Sequence, residues 1–277
     1  MSYVDTRLDC WLPRPSDTAL FSPEHYGNID GAVTSGMAAN WTSADEDCDL
    51  FNNNVLTRAM RRDTCDHSST DAWLYTDAKV RIVRQYQSYD ELCQPYHSSE
   101  FEFFHNLPHV WIGGHMSRLP CSPLDPMFWA HHAQVDKLGH EVQERVPASS
   151  WTYPTSPDIR SGHRADDPMS PFDWFSNADG LNNELIGKMY VYERSPADMS
   201  CRAHWQCSII GLLWCDRRAG RGEGQCKAKS REGGVCEEGV HAMCYCKAGK
   251  PRCDVTGTCQ CVPYKHYYQY YYNYYRR

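Results

Sequence analysis

The sequence lacks long apolar runs, and no stretch approaches the roughly 20 consecutive apolar residues that a membrane-spanning helix needs. It also lacks a visible secretory signal, because residues 1–5 (MSYVD) are mostly polar or acidic and no apolar run follows them. Hydrophobic residues still make up 41% of the 277 residues. This composition favours a folded protein with one sizeable core and a small accessory module over a disordered or membrane-spanning one.

Histidine is sparse before residue 105, where only His25, His67 and His97 occur, and none has a closely spaced histidine partner. By contrast, residues 105–132 contain five histidines, and four of them, His105, His109, His131 and His132, form two closely spaced pairs. Residues four apart lie on the same face of a helix, so His105 and His109 can share a metal. Imidazole ligands suit copper, iron, zinc or nickel about equally. The alternative is that these are ordinary core or surface histidines.

Cysteine is unevenly distributed, with ten of the 15 residues between Cys201 and Cys261. An even number at this density is typical of a disulfide-stapled module made in an oxidising compartment, although soft-metal binding is an alternative. The remaining five are odd in number, so one is expected to be a free thiol or to have lost its partner. Asn40-Trp41-Thr42 is a glycosylation acceptor sequence consistent with secretion.

Charge is also unevenly distributed along the chain. The net charge is −7, but residues 201–277 contain 13 Lys and Arg against 6 Asp and Glu.

One helix is predicted with a clear start and end. Asp125 suits an N-cap, Pro126 suits the first helical position, and Pro147 marks the end. Mixed apolar spacing predicts one or two further helices in residues 72–95, and a short one is expected at Asp179–Met189. Pro108 cannot donate a backbone hydrogen bond, so we expect the helix carrying His109 to start near His105 or to be kinked. No internal repeat of 20–50 residues is visible.

Residues 105–116 (HNLPHVWIGGHM) and 122–138 (SPLDPMFWAHHAQVDKL) closely resemble the second copper-binding region of tyrosinases, especially those of molluscs and other invertebrates. Residues 162–169 and 177–181 resemble the segments that follow it. Residues 21–31 and 33–36 resemble the stretch between the family's two copper regions. The resemblance covers roughly residues 1–195.

The resemblance implies that His105, His109 and His132 are copper ligands and that His131 packs beside the site. It also implies that Asn106 helps to orient a water that deprotonates phenols. Asp136, one turn after His132, is predicted to hold a histidine in its ligating tautomer. His115 has two interpretations, a residue lining the substrate entrance or a hydrogen-bonded histidine in a glycine turn.

Tyrosinases need two copper ions, each held by three histidines, to bind dioxygen and to oxidise phenols or o-diphenols. The histidines of the first copper are expected N-terminal to the region that begins here at Met1. We therefore expect a chain that carries only the second copper half-site, as a fragment, an incomplete gene model or a truncated variant. Activity of this chain alone is correspondingly in doubt.

The expected fold is mainly α-helical, with part of a tyrosinase-type helical bundle, long loops and a small disulfide module. We predict a copper-binding domain at 1–195, a cysteine-rich module at 196–262 and a tyrosine-rich tail at 263–277. The predicted function is a secreted, copper-dependent oxidoreductase acting on phenolic small molecules or protein tyrosines with dioxygen, in contact with extracellular matrix. No nucleic-acid or membrane partner is expected.

Two alternatives to this function remain. The first is a catalytically inactive matrix protein whose tyrosine-rich tail is crosslinked. The second is an oxygen carrier of the molluscan haemocyanin type, which the Gly113–Met116 turn and the cysteine-rich region disfavour.

Overall fold

The computed structural model describes residues 2–43, 46–48, 55–93, 100–153, 159, 162, 164–182, 188–207, 210–218 and 222–264. Within these ranges the α-helices are α1 (Asp77–Val83), α2 (Tyr89–Cys93), α3 (Glu100–Ile112) and α4 (Pro126–Arg145). None of the described helices is both long enough and apolar enough to cross a membrane. The tyrosine-rich residues 265–277, on which the crosslinking hypothesis depends, lie outside the described residues.

Helix α4 begins and ends where the sequence predicts. The Asp125 side chain accepts a hydrogen bond from the Met127 amide at 3.0 Å, and Pro126 occupies the first helical position. The helix ends at Arg145, two residues before Pro147. Helices α1 and α2 confirm the prediction for residues 72–95.

Of the two alternatives predicted for the helix carrying His109, the start near His105 is not found, because α3 begins at Glu100 and contains Pro108 in its interior. Proline removes one hydrogen bond, the one that the Phe104 carbonyl would otherwise accept. Acidic side chains at Glu100 and Glu102 lie in the first turn, where they favour the helix N-terminus. The expectation that the helix starts near His105 is therefore wrong.

The short helix expected at Asp179–Met189 is found only in part, as a 3-10 helix at Asn177–Leu181. Residues 183–187, which make up most of its second half, lie outside the described part of the chain.

The helices pack around an apolar core that α1, α3 and α4 share. Its buried members include Val80 and Val83 of α1, Phe101 and Phe104 of α3, and Leu138 and Val142 of α4. A second core lies under the other end of α3, where Trp111 packs edge-on against Phe21 at 6.1 Å. These two cores fix α3 against α4.

A fully buried ion pair anchors the start of α4. The Arg58 guanidinium donates to both carboxylate oxygens of Asp125, at 2.6 and 2.9 Å, and both side chains are 0% exposed. Arg58 also donates to the carbonyls of Tyr26 and Asn28, at 2.7 and 3.1 Å. The residue that caps α4 is thereby tied to the loop at residues 26–28.

The strands are short and all antiparallel. In the first 200 residues, β1 (Asp30–Ala32) pairs with β2 (Thr57–Ala59), and β3 (Pro168–Met169) pairs with β4 (Phe172–Ser176). The C-terminal region contains β5 (Ser200–Cys201), β6 (Leu213–Asp216) and β7 (Gly224–Ala228) in the order β5-β7-β6, and a hairpin of β8 (Lys250–Cys253) and β9 (Cys259–Val262). The prediction of a mainly α fold therefore suits only the half that carries the histidine cluster.

Five disulfides lie within the C-terminal region, as the sequence predicts. They are Cys201–Cys215, Cys207–Cys226, Cys236–Cys253, Cys244–Cys259 and Cys246–Cys261. Two more, Cys10–Cys65 and Cys48–Cys121, staple the first half of the chain. Cys93 is the one free thiol among the described cysteines. The odd count in the first half is thus explained.

The C-terminal region consists of two copies of one unit, which we call unit 1 (residues 201–226) and unit 2 (residues 236–259). Apart from Cys246, which lies within unit 2 but bonds Cys261 outside it, each unit has four cysteines, of which the first bonds the third and the second bonds the fourth. The third and fourth cysteines also face each other across a hairpin, Cys215 opposite Cys226 and Cys253 opposite Cys259. The loops between the cysteines differ in length, so the repeat does not show in the sequence.

Unit 1 packs directly on the N-terminal loops. Leu8 and Leu12 belong to the same buried cluster as the cysteines, and the Ala228 amide donates to the Leu8 carbonyl at 3.1 Å. Between the units, Arg231 forms an ion pair with Asp17 at 3.1 Å. The cysteine-rich region therefore forms a continuous interface with the loops that precede the helices.

Candidate metal centre

Helices α3 and α4 bring three imidazole nitrogens together. His105 and His109 lie one turn apart on α3, and His132 lies on the facing side of α4. The Nε2 atom of His105 is 3.0 Å from that of His132 and 3.2 Å from that of His109, and the remaining pair is separated by 3.1 Å. The three nitrogens thus converge on one point.

This geometry fits a metal ion. Imidazole nitrogens bind zinc or copper at about 2.0–2.1 Å, and three nitrogens at these separations can all lie that far from one point. Three neutral ring nitrogens facing one another have only acceptor lone pairs to offer, unless a ring turns its proton inward. A shared cation satisfies all three lone pairs at once.

Backbone carbonyls fix the ring orientations. Nδ1 of His109 donates to the Met116 carbonyl at 2.9 Å, and His105 forms a hydrogen bond with the Glu102 backbone. A ring protonated on Nδ1 keeps its Nε2 lone pair for a metal. The main chain therefore sets the ligating tautomer of both histidines on α3.

The Met116 carbonyl is held in place by a turn that only glycine suits. Gly113 and Gly114 have φ values of 67° and 57°. A Cβ atom at Gly113 would lie 2.4 Å from the Ala59 carbonyl oxygen, and one at Gly114 would lie 2.2 Å from that of Thr57. Strand β2 thus packs directly against the turn that orients His109.

His131 and Phe128 pack beside the cluster. His131 is 2% exposed, its Nε2 lies 2.9 Å from the His105 carbonyl, and its ring stacks on that of His105 with centroids 5.3 Å apart. On the other side, the Phe128 ring stacks on His132 at 3.9 Å. His105 and His132 are therefore each held by a flat neighbour.

Burial lowers the pKa of every histidine in the cluster. The pKa values of His105 and His132 fall to about 4, first because burial disfavours the charged ring and then because neighbouring imidazoles repel added charge. Burial lowers the pKa of His109 as well, and holds that of His131 well below its usual value. The four rings are neutral at physiological pH, which is the state that binds a metal.

Comparison with known proteins places this geometry in a family. Residues 14–145 match the model of the common central domain of tyrosinase. The chain is 32% identical over 195 residues to Tyrosinase-like protein 1 of Margaritifera margaritifera, covering 69% of this chain and 39% of that protein. It is 28% identical over 264 residues to the putative tyrosinase-like protein tyr-3 of Caenorhabditis elegans, covering 90% of this chain and 36% of that protein.

The chain belongs to the tyrosinase family. The tyrosinase of Streptomyces glaucescens is 32% identical over 190 residues, covering 61% of this chain and 64% of that enzyme. The chain spans between a third and a half of the animal relatives named above. Copper is the cofactor of this family, and the cluster on α3 and α4 has the donor set and spacing to bind it.

Within the described residues, this cluster is the one group of three or more histidines close enough to share a metal. His67 stacks on Trp11 at 3.8 Å, and His25 lies beside Tyr245, with ring centroids 5.6 Å apart. His97 and His163 lie outside the described ranges. A second three-histidine site, which the family's reaction needs, is not present in the part of the chain that the structure describes.

Asp136 does not occupy the position that the sequence suggested. It is exposed, and its Oδ2 accepts hydrogen bonds from Tyr190 and Tyr192 at 3.1 and 2.6 Å. No hydrogen bond from Asp136 to a histidine occurs among those of the described residues. The carbonyls of Glu102 and Met116 orient the imidazoles instead, and sequence reasoning missed them because backbone acceptors leave no residue-type signal.

Asn106 lies beside the metal cluster, whereas His115 lies in the protein core. Asn106 is exposed beside the cluster, and its side chain is hydrogen-bonded to His105. His115 is 0% exposed, with Nδ1 3.0 Å from the Thr57 amide and Nε2 2.9 Å from the Cys48 carbonyl. Of its two interpretations, the hydrogen-bonded core histidine is correct.

Proposed function

We propose that the chain provides one copper-binding half of a tyrosinase-type oxidoreductase that acts on phenols or o-diphenols with dioxygen. His105, His109 and His132 hold the copper, and His131 supports them from behind. The observation that carries the proposal is the convergence of three Nε2 atoms within 3.2 Å of one another. Bound copper supplies a redox-active Lewis acid for dioxygen and the phenolic oxygen.

The surroundings of the cluster support a phenolic substrate. The three ligating rings are only partly buried, so a small molecule can reach them from the exposed face of α3 and α4. Trp129, whose ring contacts the Phe128 ring that stacks on His132, is 62% exposed. Aromatic side chains pack well against another flat ring.

Asn106 is the residue that we assign to proton removal. Its amide lies beside His105 on the exposed face, where it can orient a water molecule toward a bound phenol. Such a water takes the hydroxyl proton as the phenol binds. Asn106→Ala should then reduce turnover of monophenols more than that of o-diphenols, with no change in copper content.

The ligand assignment is tested by copper content. Elemental analysis of the purified protein should give about one copper per chain. His105→Ala, His109→Ala and His132→Ala should each lose most of this copper. His140→Ala is the matched control, since His140 lies on α4 but faces Glu144 at 3.2 Å. Retention of copper by all three ligand variants would overturn the assignment.

An o-diphenol oxidation assay on the same samples tests the reaction. Two coppers per chain with oxidation would mean that histidines beyond this cluster assemble a second site. Copper at this cluster without any oxidation would favour the alternative of a catalytically inactive matrix protein. Mass spectrometry of residues 264–277 after treatment with an active tyrosinase would then show whether the tail is crosslinkable.

We also propose an extracellular location. The chain has seven disulfides. Disulfides form and persist in oxidising compartments and are rare in the cytosol. Asn40, the acceptor of the glycosylation sequence, is exposed in a turn with φ of 60°. A mass decrease on treatment with a peptide N-glycosidase, lost in Asn40→Gln, would support secretion.

A further inference from the structure

The repeat in the cysteine-rich region places two equivalent histidines on one groove. His204 of unit 1 and His241 of unit 2 each begin a short 3-10 helix that ends just before the second cysteine of the unit. The groove has a volume of about 620 Å³, and both histidines line it. The repetition thus gives the groove a matching ring from each unit.

The two histidines make the same hydrogen bond. The Cys215 amide donates to Nδ1 of His204 at 3.0 Å, and the Cys253 amide donates to Nδ1 of His241 at 3.1 Å. Each amide belongs to the third cysteine of its unit. A neutral ring that accepts at Nδ1 carries its proton on Nε2, so each ring offers an N–H donor at its outer edge.

The other side chains of the groove add positive charge. Arg217 is exposed and has no salt bridge or side-chain hydrogen bond among the described residues. Arg218, which also lines the groove, pairs with Asp216 and Glu237, and Lys227, from outside the lining, pairs with Asp216 as well. Burial together with Lys229 and Arg217 lowers the pKa of His204, which agrees with a positive local potential.

One donor in the wall has no partner. Trp214 is 4% exposed, and its indole Nε1 lacks a hydrogen-bond acceptor among the described atoms. Unpaired buried donors are rare in folded proteins. Since Asp216 is already satisfied by cations, the side chains of the groove present donors and positive charge but no free acceptor.

We infer that this groove binds an oxyanion, either a free anion such as sulfate or a sulfate group of an acidic polysaccharide. Arg217 and the Nε2–H groups of His204 and His241 are the donors that hold it. Guanidinium and imidazole N–H groups are well matched to oxyanion oxygens, and charge-assisted hydrogen bonds are the stronger kind. Protonation of His204 strengthens the binding.

The test is calorimetric titration of the full chain with sodium sulfate, with heparin and with desulfated heparin, at constant ionic strength. Arg217→Ala should weaken the binding by about tenfold, which is the effect of losing one charge-assisted contact. Lys247→Ala is the matched control, because Lys247 is exposed in the same region but lines a different pocket. It should change the affinity by less than about twofold.

A second measurement is independent of the variants. NMR of the imidazole rings should show the pKa of His204 rising when sulfate is added, and the His241 ring should shift in the same titration. Binding of sulfate and heparin indicates a site open to both sources, and binding of only one identifies the source. Binding of neither, or equal weakening by Arg217→Ala and Lys247→Ala, would overturn the inference.

Discussion

The helical half around α3 and α4 is stabilised by packed side chains, whereas the cysteine-rich half is stabilised by covalent bonds. The core shared by α1, α3 and α4 buries aromatic and aliphatic side chains such as Phe104, Leu138 and Val142. In the other half, eight of the thirteen residues in the buried cluster are disulfide cysteines. The first half depends on the packing of many side chains to hold three nitrogens together, whereas the second depends mainly on disulfides to keep the shape of its groove.

The largest effect is expected in the helical half, from the Arg58–Asp125 pair. Arg58→Met should lower the free energy of unfolding by about 3–5 kcal/mol, because it leaves the Asp125 carboxylate buried without its cation. Urea denaturation measures the loss. The double variant Arg58→Met/Asp125→Asn should recover part of it, and an unchanged midpoint in the single variant would contradict the role of the pair.

A smaller and more local effect is expected in the other half. Cys236→Ser/Cys253→Ser opens a disulfide with a sequence separation of 17 and should cost about 3 kcal/mol. Hydrogen exchange should then accelerate in β8 and β9 but remain unchanged in α3 and α4. Equal acceleration in both halves would show that they unfold as one unit.

Stability at the interface between the two halves should depend on pH, because Asp9 titrates there. Asp9 is 2% exposed beside Leu8, and burial raises its pKa to about 7. A raised carboxyl pKa means that the unfolded chain releases its proton first, so stability falls as pH rises from about 4 to 7. Between pH 5 and pH 8 the loss is about 2–3 kcal/mol.

Asp9→Asn removes this titration and keeps the side-chain shape. Its urea midpoint should exceed that of the wild type at pH 8, and the difference should shrink at pH 5. A midpoint difference independent of pH would show that Asp9 does not titrate in this range.

The smallest effect separates His115 from the metal cluster within the helical half. His115→Ala leaves the Thr57 amide and the Cys48 carbonyl unpaired, which should cost about 2 kcal/mol. Copper content should be unchanged, whereas His109→Ala loses copper. If His115→Ala lost copper while remaining fully folded, His115 would have to contribute to the metal site.

The two halves also differ in what the sequence could reveal. Asp125 and Pro126 predicted the start of α4, because capping is a local effect. Pro108 suggested a start of α3 near His105, which is wrong, because tertiary packing outweighs one lost hydrogen bond and the helix continues through the proline. The Arg58–Asp125 pair joins positions far apart in the chain, and neither residue type alone predicts burial.

In the cysteine-rich half, the count of cysteines predicted disulfides but not their pairing. Ten cysteines allow many connectivities, and the unequal loops of the two units hid the repeat until the hairpin register of Cys215 and Cys253 was known. The histidine cluster was predictable from the sequence only in part. The resemblance to tyrosinases named its residues, but only the fold shows which acceptors orient them.

The carbonyls that orient His105 and His109 have a consequence for how this site evolves. A main-chain oxygen is present whatever side chain is attached, so the side chains of Glu102 and Met116 are free to drift without disturbing the imidazoles. What selection has to preserve is the path of the backbone, through the two glycines and the strand they touch. The path of the backbone therefore preserves the orientation of the ligands. Side chains at neighbouring positions can change as relatives diverge without disturbing it.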